Sequence, residues 1–246
     1  MSNEKINKLQ SFLKKEDLDA LAIVPGSNFF YLTGGNFHLL ERPTVLLISK
    51  TNKPIAILPV LEVDSFEKLK LDVDIFEWQD SDGYQSAFDK AFQKIGSLPT
   101  IGIEGQRMRV FESQAIEKAA NKIKIINAHK LISRIRLTKD VEEIEKLKKA
   151  IDIAEKSLEK TLQYVEVGKT EIEIKNFLIQ QLYNYGAEGI AFDPIVLASD
   201  NSALPHGHSR NDYKIKKGDC LLFDFGAIVD GYNSDITRTF FIESVS

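Results

Sequence analysis

The chain has 246 residues, 43% of them hydrophobic, and a formal net charge of −4. That is enough for one large domain or two modest ones with real cores. The slight acidity, with no basic cluster, argues against a nucleic-acid surface, and no apolar run reaches the roughly 18 residues of a membrane span. A single cysteine, Cys220, cannot pair internally, and the charged stretch Met1–Lys15 lacks an apolar signal core. Both point to a soluble cytoplasmic protein.

Ile6, Leu9, Phe12 and Leu13 recur at helical spacing and predict an amphipathic helix. Leu18–Val24 predicts a buried strand ended by Pro25-Gly26. Phe29–Leu32 reads as a strand or helix end running into the loop Thr33-Gly34-Gly35. Thr44–Ser49 and Pro54–Pro59 predict two paired strands around Thr51-Asn52-Lys53. A helix at Leu61–Leu69, a strand at Val73–Trp78, a helix at Tyr84–Ile95, a strand at Ile101–Glu104, a helix at Val110–Ala120 and a strand at Ile123–Asn127 follow. Such alternation implies an α/β domain.

The pattern shifts between residues 128 and 138, which suggests two domains, 1–132 and 133–246. A long helix is expected over Val141–Val165, capped by Thr138 or Asp140, and a second over Glu171–Tyr185, capped by Thr170 and ended by Gly186. Ile190–Leu197 reads as a strand and Ser199–Ser209 as a polar loop. Tyr213–Gly218 leads into a terminal hairpin.

That hairpin carries the strongest signal. Asp230-Gly231 is a turn dipeptide between two alternating runs. If it forms the turn, Val229 faces Tyr232, Gly226 faces Asp235, and Asp224 faces Thr237. Asp224, Gly226, Asp235 and Thr237 then share one face. Phe223, Phe225, Ala227, Ile236 and Phe240 share the other with Arg238, and that face reads as core. Asp224 and Asp235 become diagonal neighbours, with Cα atoms roughly 7–8 Å apart. A cation between them would remove their repulsion and lost hydration, and Gly226 would leave room for it. Two solvated aspartates on an edge hairpin are the alternative.

Asp224-Phe225-Gly226-Ala227, Asp230-Gly231-Tyr232 and Ser234-Asp235-Ile236-Thr237-Arg238-Thr239-Phe240 resemble the first metal motif of the pita-bread metallopeptidases: Xaa-Pro aminopeptidase, prolidase, methionine aminopeptidase and creatinase. Asp19–Leu21 and Tyr31–Gly34 resemble the amino-terminal domain of prolidases and creatinases. Arg136–Lys139 and Glu142-Glu143-Ile144 resemble the start of their catalytic domain. The resemblance implies a creatinase-like N-terminal α/β domain followed by an incomplete pita-bread domain, α/β (α+β) in class. Methionine aminopeptidases generally lack the first domain, so the Xaa-Pro branch fits better.

The resemblance also implies a chemistry. Asp224 and Asp235 would bind two divalent ions (manganese, cobalt, zinc or iron(II)), with Asp235 bridging, and Thr237 would support a carboxylate from behind. Asp230 belongs to the turn. In Ala203-Leu204-Pro205-His206-Gly207, His206 matches the family's substrate-side histidine and would donate a hydrogen bond to charge developing on the substrate; a surface loop histidine is the alternative. His208, His38 and His129 read as loop or structural residues. Asp200 stands where the family usually has glycine.

The family draws one histidine and two glutamates from segments after this hairpin, whereas the sequence ends at Ser246. The expected activity is hydrolysis of short peptides before proline by an Xaa-Pro aminopeptidase or dipeptidase, with residues 1–246 alone inactive. A homodimer is compatible with the family. Two other functions fit the same residues: a non-catalytic peptide- or protein-binding module, and a creatinase-like amidinohydrolase. Both fit less well with retention of the two aspartates.

Overall fold

The computed structural model describes residues 2–120 and 122–243. They divide into two compact units between Thr138 and Lys139. The first unit contains the strands β1 (Ala20–Ile23), β2 (Val45–Ser49), β3 (Ile55–Pro59), β4 (Asp74–Trp78), β5 (Thr100–Ile103) and β6 (Lys124–Asn127). Its helices are α1 (Ser2–Leu13), α2 (Ser27–Thr33), α3 (Val60–Glu67), α4 (Gln85–Ile95), α5 (Val110–Ala119) and α6 (His129–Arg134). Phe29–Leu32 is therefore helical, and α6 is an element that the apolar pattern does not announce.

The six strands form one mixed sheet in the order β4-β3-β2-β1-β5-β6. β2 runs antiparallel to β1 and β3, and the other pairs are parallel. Alternation along β1 explains the two layers of core. Leu21 and Ile23 point to the side packed with Leu9, Leu13, Phe29 and Phe66. Ala20 and Ala22 point to the side packed with Phe88, Phe92 and Ile116. Both faces are covered, so β1, β2 and β3 are buried at every residue, as continuous apolar strands require.

The second unit opens with two helices, α7 (Val141–Leu162) and α8 (Glu171–Asn184). Each begins with a reciprocal cap. Asp140 accepts from Glu143 N and Thr170 from Glu173 N, while the two glutamates accept from the cap nitrogens. The strands are β7 (Gly189–Ile190), β8 (Ile195–Ala198), β9 (Cys220–Phe225), β10 (Ala227–Val229), β11 (Tyr232–Asn233) and β12 (Ile236–Phe241). They form two three-stranded sheets, β11-β10-β7 and β12-β9-β8.

The single strand expected at Ile190–Leu197 is split. β7 joins the first sheet and β8 the second, with buried Pro194, which has no N–H to give a ladder, between them. Leu158, Leu178, Phe223 and Phe225 form the core of this unit. Arg238 is exposed, and among the described residues β12 lies at the edge of its sheet. Among the described residues, no helix is long and apolar enough to cross a membrane.

The first unit also buries a carboxylate. Glu104 is 2% exposed; its oxygens accept from Val24 N at 2.9 Å and Asn28 Nδ2 at 2.7 Å. Burial raises its pKa above the ordinary carboxylate value, although these bonds and the nearby Arg107 pull the other way. The folded value exceeds the unfolded one. The stabilisation is therefore full below the unfolded pKa and is lost as pH rises through the folded one. The expected slope from this one proton is at most about 1.4 kcal/mol per pH unit. Glu104→Gln should flatten that part of the profile. Urea denaturation of both proteins across the acid range measures the difference.

Candidate active site

The site is built on one hairpin. Asp230 and Gly231 have φ values of 47° and 75°, the two positive φ angles of a type I′ turn. Val229 pairs with Tyr232, Ile228 with Asn233, Phe225 with Ile236, and Asp224 with Thr237. The register is the same on both sides of the step between β10–β11 and β9–β12, so no residue is inserted in either arm.

The step itself is made by Gly226 and Ser234. A Cβ on Gly226 would lie 1.9 Å from the Ser234 carbonyl oxygen and 2.9 Å from the Ala191 Cβ. Gly226 therefore does not leave room for a metal. Backbone fills that space, and glycine is there because the arms pass too closely for any side chain. Ser234 completes the junction. Its Oγ accepts from Ala227 N at 2.9 Å and donates to Ala150 O at 3.1 Å, which fastens the hairpin to α7. Near the turn, the Tyr232 hydroxyl donates to the Glu143 carboxylate at 2.8 Å.

One face of β9 opens onto a cavity of about 370 Å³. Ile195, Leu197, Leu204, Pro205 and Leu222 give it an apolar wall, and His206, Asp224 and Thr237 bring polar groups to it. Thr237 Oγ1 donates to Asp224 Oδ1 at 3.0 Å. Asp235 is exposed and stands outside that lining, at the step of the hairpin. The chain thus brings His206, Asp224 and Thr237 to one space, with Asp235 two residues from Thr237, just beyond the end of the β9–β12 ladder. His38 and His208 are exposed.

His206 sits on an unusual backbone. The segment begins as a tight turn at Ser199–Ala203, and both Ser199 and His206 adopt left-handed φ values, 54° and 56°. Residues other than glycine hold that conformation only when their surroundings impose it, at a cost of order 1–3 kcal/mol each. Here Leu197 presses on Gly207, whose added Cβ would meet Leu197 Cδ1 at 2.9 Å. Beneath the loop lies Glu171, fully buried at the start of α8 and bonded to Ala198, Asn201 and Arg210. Residue pattern alone does not single it out, because a glutamate in the first turn of a helix reads as a partner for the helix dipole. Only the adjacent loop reveals its second use.

The donor set suits a hard divalent cation in kind: Asp224 keeps Oδ2 unengaged by Thr237, and carboxylate oxygen is the ligand such ions favour. It does not complete a site. Among the described residues, no group of three or more histidine, cysteine, aspartate or glutamate side chains is placed to hold a metal.

Comparison with known proteins agrees with this architecture. The model of the creatinase/prolidase N-terminal domain matches residues 5–138, and that of metallopeptidase family M24 matches residues 145–246. The chain belongs to the pita-bread metallopeptidase family M24, in the branch that carries a creatinase/prolidase N-terminal domain. An uncharacterized peptidase of Staphylococcus aureus (strain USA300) is 30% identical over 235 residues, 96% of this chain and 65% of that protein. The chain thus spans 65% of the length of the curated relatives it matches. Among solved structures, a prolidase from Thermococcus sibiricus is 31% identical with a TM-score of 0.89, covering 98% of this chain and 66% of that one. An Xaa-Pro dipeptidase from Bacillus anthracis is 29% identical with a TM-score of 0.85, covering 100% of this chain and 66% of that one.

The Gly226 contact predicts a large effect from one methyl group. Gly226→Ala should lower stability by about 1–3 kcal/mol, the usual range for overpacking. Its signature would be loss of the Ser234–Ala227 bonds in amide exchange, with urea denaturation giving the magnitude.

Proposed function

We propose that residues 1–246 carry the substrate-side histidine and the first two metal ligands of an Xaa-Pro peptidase, an aminopeptidase or prolidase-like dipeptidase. It would hydrolyse the bond before proline in short peptides. The observation that carries this reading is the convergence of His206, Asp224 and Thr237 on one apolar-walled cavity. The likeness to a prolidase and an Xaa-Pro dipeptidase supports the same substrate class. The single cysteine supports a reducing, cytoplasmic setting.

In this reading Asp224 and Asp235 would both serve as ligands to divalent ions drawn from manganese, cobalt, zinc and iron(II). The ions would supply an activated water and polarise the peptide carbonyl. The chain's own contributions are distinct from that. Thr237 donates to one oxygen of Asp224 and so fixes which oxygen faces the cavity. The apolar residues Ile195, Leu197 and Leu222 would give the peptide a surface to pack against. His206, which lines the same cavity, would donate an imidazole N–H to the oxygen on which negative charge builds as the peptide carbonyl is attacked.

Two carboxylates bring two oxygens each, fewer than a metal pair needs, so residues 1–246 alone should bind metal weakly. In a form that also carries the family's further ligand segments, Asp224→Ala and Asp235→Ala should each abolish Xaa-Pro dipeptide hydrolysis. His206→Ala should lower kcat by about 10²–10³ and leave the calorimetric metal isotherm unchanged. Thr237→Val should weaken metal binding about 10–100-fold. Loss of metal in His206→Ala would make the histidine a ligand and overturn this assignment. Chelator-sensitive turnover by residues 1–246 alone would overturn the donor count.

A further inference from the structure

We propose that Glu171 is the positioning residue of the His206 loop, a role that rests on the reading of His206 as the substrate-side histidine. Glu171 is fully buried. Its Oε1 accepts from Ala198 N at 2.7 Å and from Arg210 Nη2 at 3.0 Å. Its Oε2 accepts from Asn201 Nδ2 at 2.8 Å and from Arg210 N at 2.6 Å. These donors are the first, fourth and last residues of the segment 198–210, which carries His206.

Asn201 extends the control inward, because its Nδ2 also donates to the His208 carbonyl at 3.0 Å, two residues beyond His206. Arg210 closes the far end. Its Nη2 donates to Ala198 O at 2.9 Å, its Nη1 reaches Asp200 at 3.1 Å, and its guanidinium lies 4.3 Å from the centre of the Tyr213 ring. One carboxylate therefore ties both ends of a loop to the rigid start of α8. A buried charge with this many donors needs all of them, since each one lost leaves an unsatisfied group away from water. The left-handed residues Ser199 and His206 lie inside the tied segment, so the bonds that fix its ends also hold these two conformations in place.

Glutamine is the sharp test. An amide can accept at only one of the two oxygen positions, and at the other it sets a donor against the N–H groups of Asn201 and Arg210 or of Ala198. In residues 1–246, Glu171→Gln should speed amide exchange across residues 198–210 by about tenfold or more while β9 and α7 keep the parent's rates. The imidazole NMR signals of His206 should move, and those of His38 should stay. Asn201→Ala, which keeps the carboxylate and removes one donor, should give the same pattern more weakly and serves if Glu171→Gln does not fold.

Three results would overturn the proposal: unchanged exchange across residues 198–210, an equal rise in β9 and α7, or faster loop exchange with His206 signals that do not move. Neither readout depends on turnover. A negative dipeptide assay on a metal-loaded, ligand-complete form would count against the functional reading and leave the placement of the loop to be decided by these spectra.

Discussion

The second unit depends on one close backbone approach. At Gly226 and Ser234 a single hairpin leaves one three-stranded sheet and enters another. A continuous ladder would place two ten-residue arms, 220–229 and 232–241, in one twisted sheet. Here the carbonyl of Ser234 turns in toward Gly226, and the ladder bond it would have accepted is replaced by Ala227 N donating to Ser234 Oγ. The strands then diverge, and β7 and β8 divide between the two sheets on the same step. The carboxylate Asp224 is left on the far side of the step from the turn, next to the loop of His206. Without the step, β9 and β10 would share one sheet, and the cavity wall would be assembled from different residues.

The register of this hairpin was legible in the sequence because two independent signals agree. Asp230-Gly231 demands positive φ at two successive positions, and the apolar residues alternate on either side of it. Register follows from the turn, and faces follow from register, so a dipeptide was enough to pair Asp224 with Thr237. The cap of α8 was legible at Thr170, and that of α7 was narrowed to Thr138 or Asp140, of which the structure uses Asp140. An aspartate or threonine followed three residues later by glutamate satisfies two end groups at once, which few other arrangements do.

What stayed hidden depends on contacts between distant segments. Glycine in a strand permits either empty space or close approach, and only the position of Ser234 decides between them. The split of β7 from β8 follows from which neighbour each half finds, although Pro194 was a local warning. Helix α6 is short, and of its residues Ile132 is buried, so it has too little periodicity to register against the long helix that follows. Glu171 has an ordinary local role at a helix start and an unusual distant one. Its burial cannot be read from its neighbours in sequence, because the donors that justify it come from Ala198, Asn201 and Arg210.

These contacts divide the unit into parts that hold and parts that act. Gly226, Ser234 and Glu171 are buried, and the side-chain oxygens of Ser234 and Glu171 are engaged within the unit. His206 and Asp235 are exposed, and Asp224 is half-buried with one oxygen directed by Thr237. Groups that must meet a ligand cannot also be the groups that close the core, because satisfying them internally would remove the very valence they offer. The fold meets this constraint by placing each acting residue one or two positions from a holding one: Asp224 beside Phe225 and Gly226, Asp235 beside Ser234, and His206 beside Gly207, which packs on Leu197. The acting side chains are thereby oriented by backbone that is itself immobilised from beneath. Their chemistry can differ between related chains without disturbing the core, whereas a change at a holding residue alters stability and site geometry together.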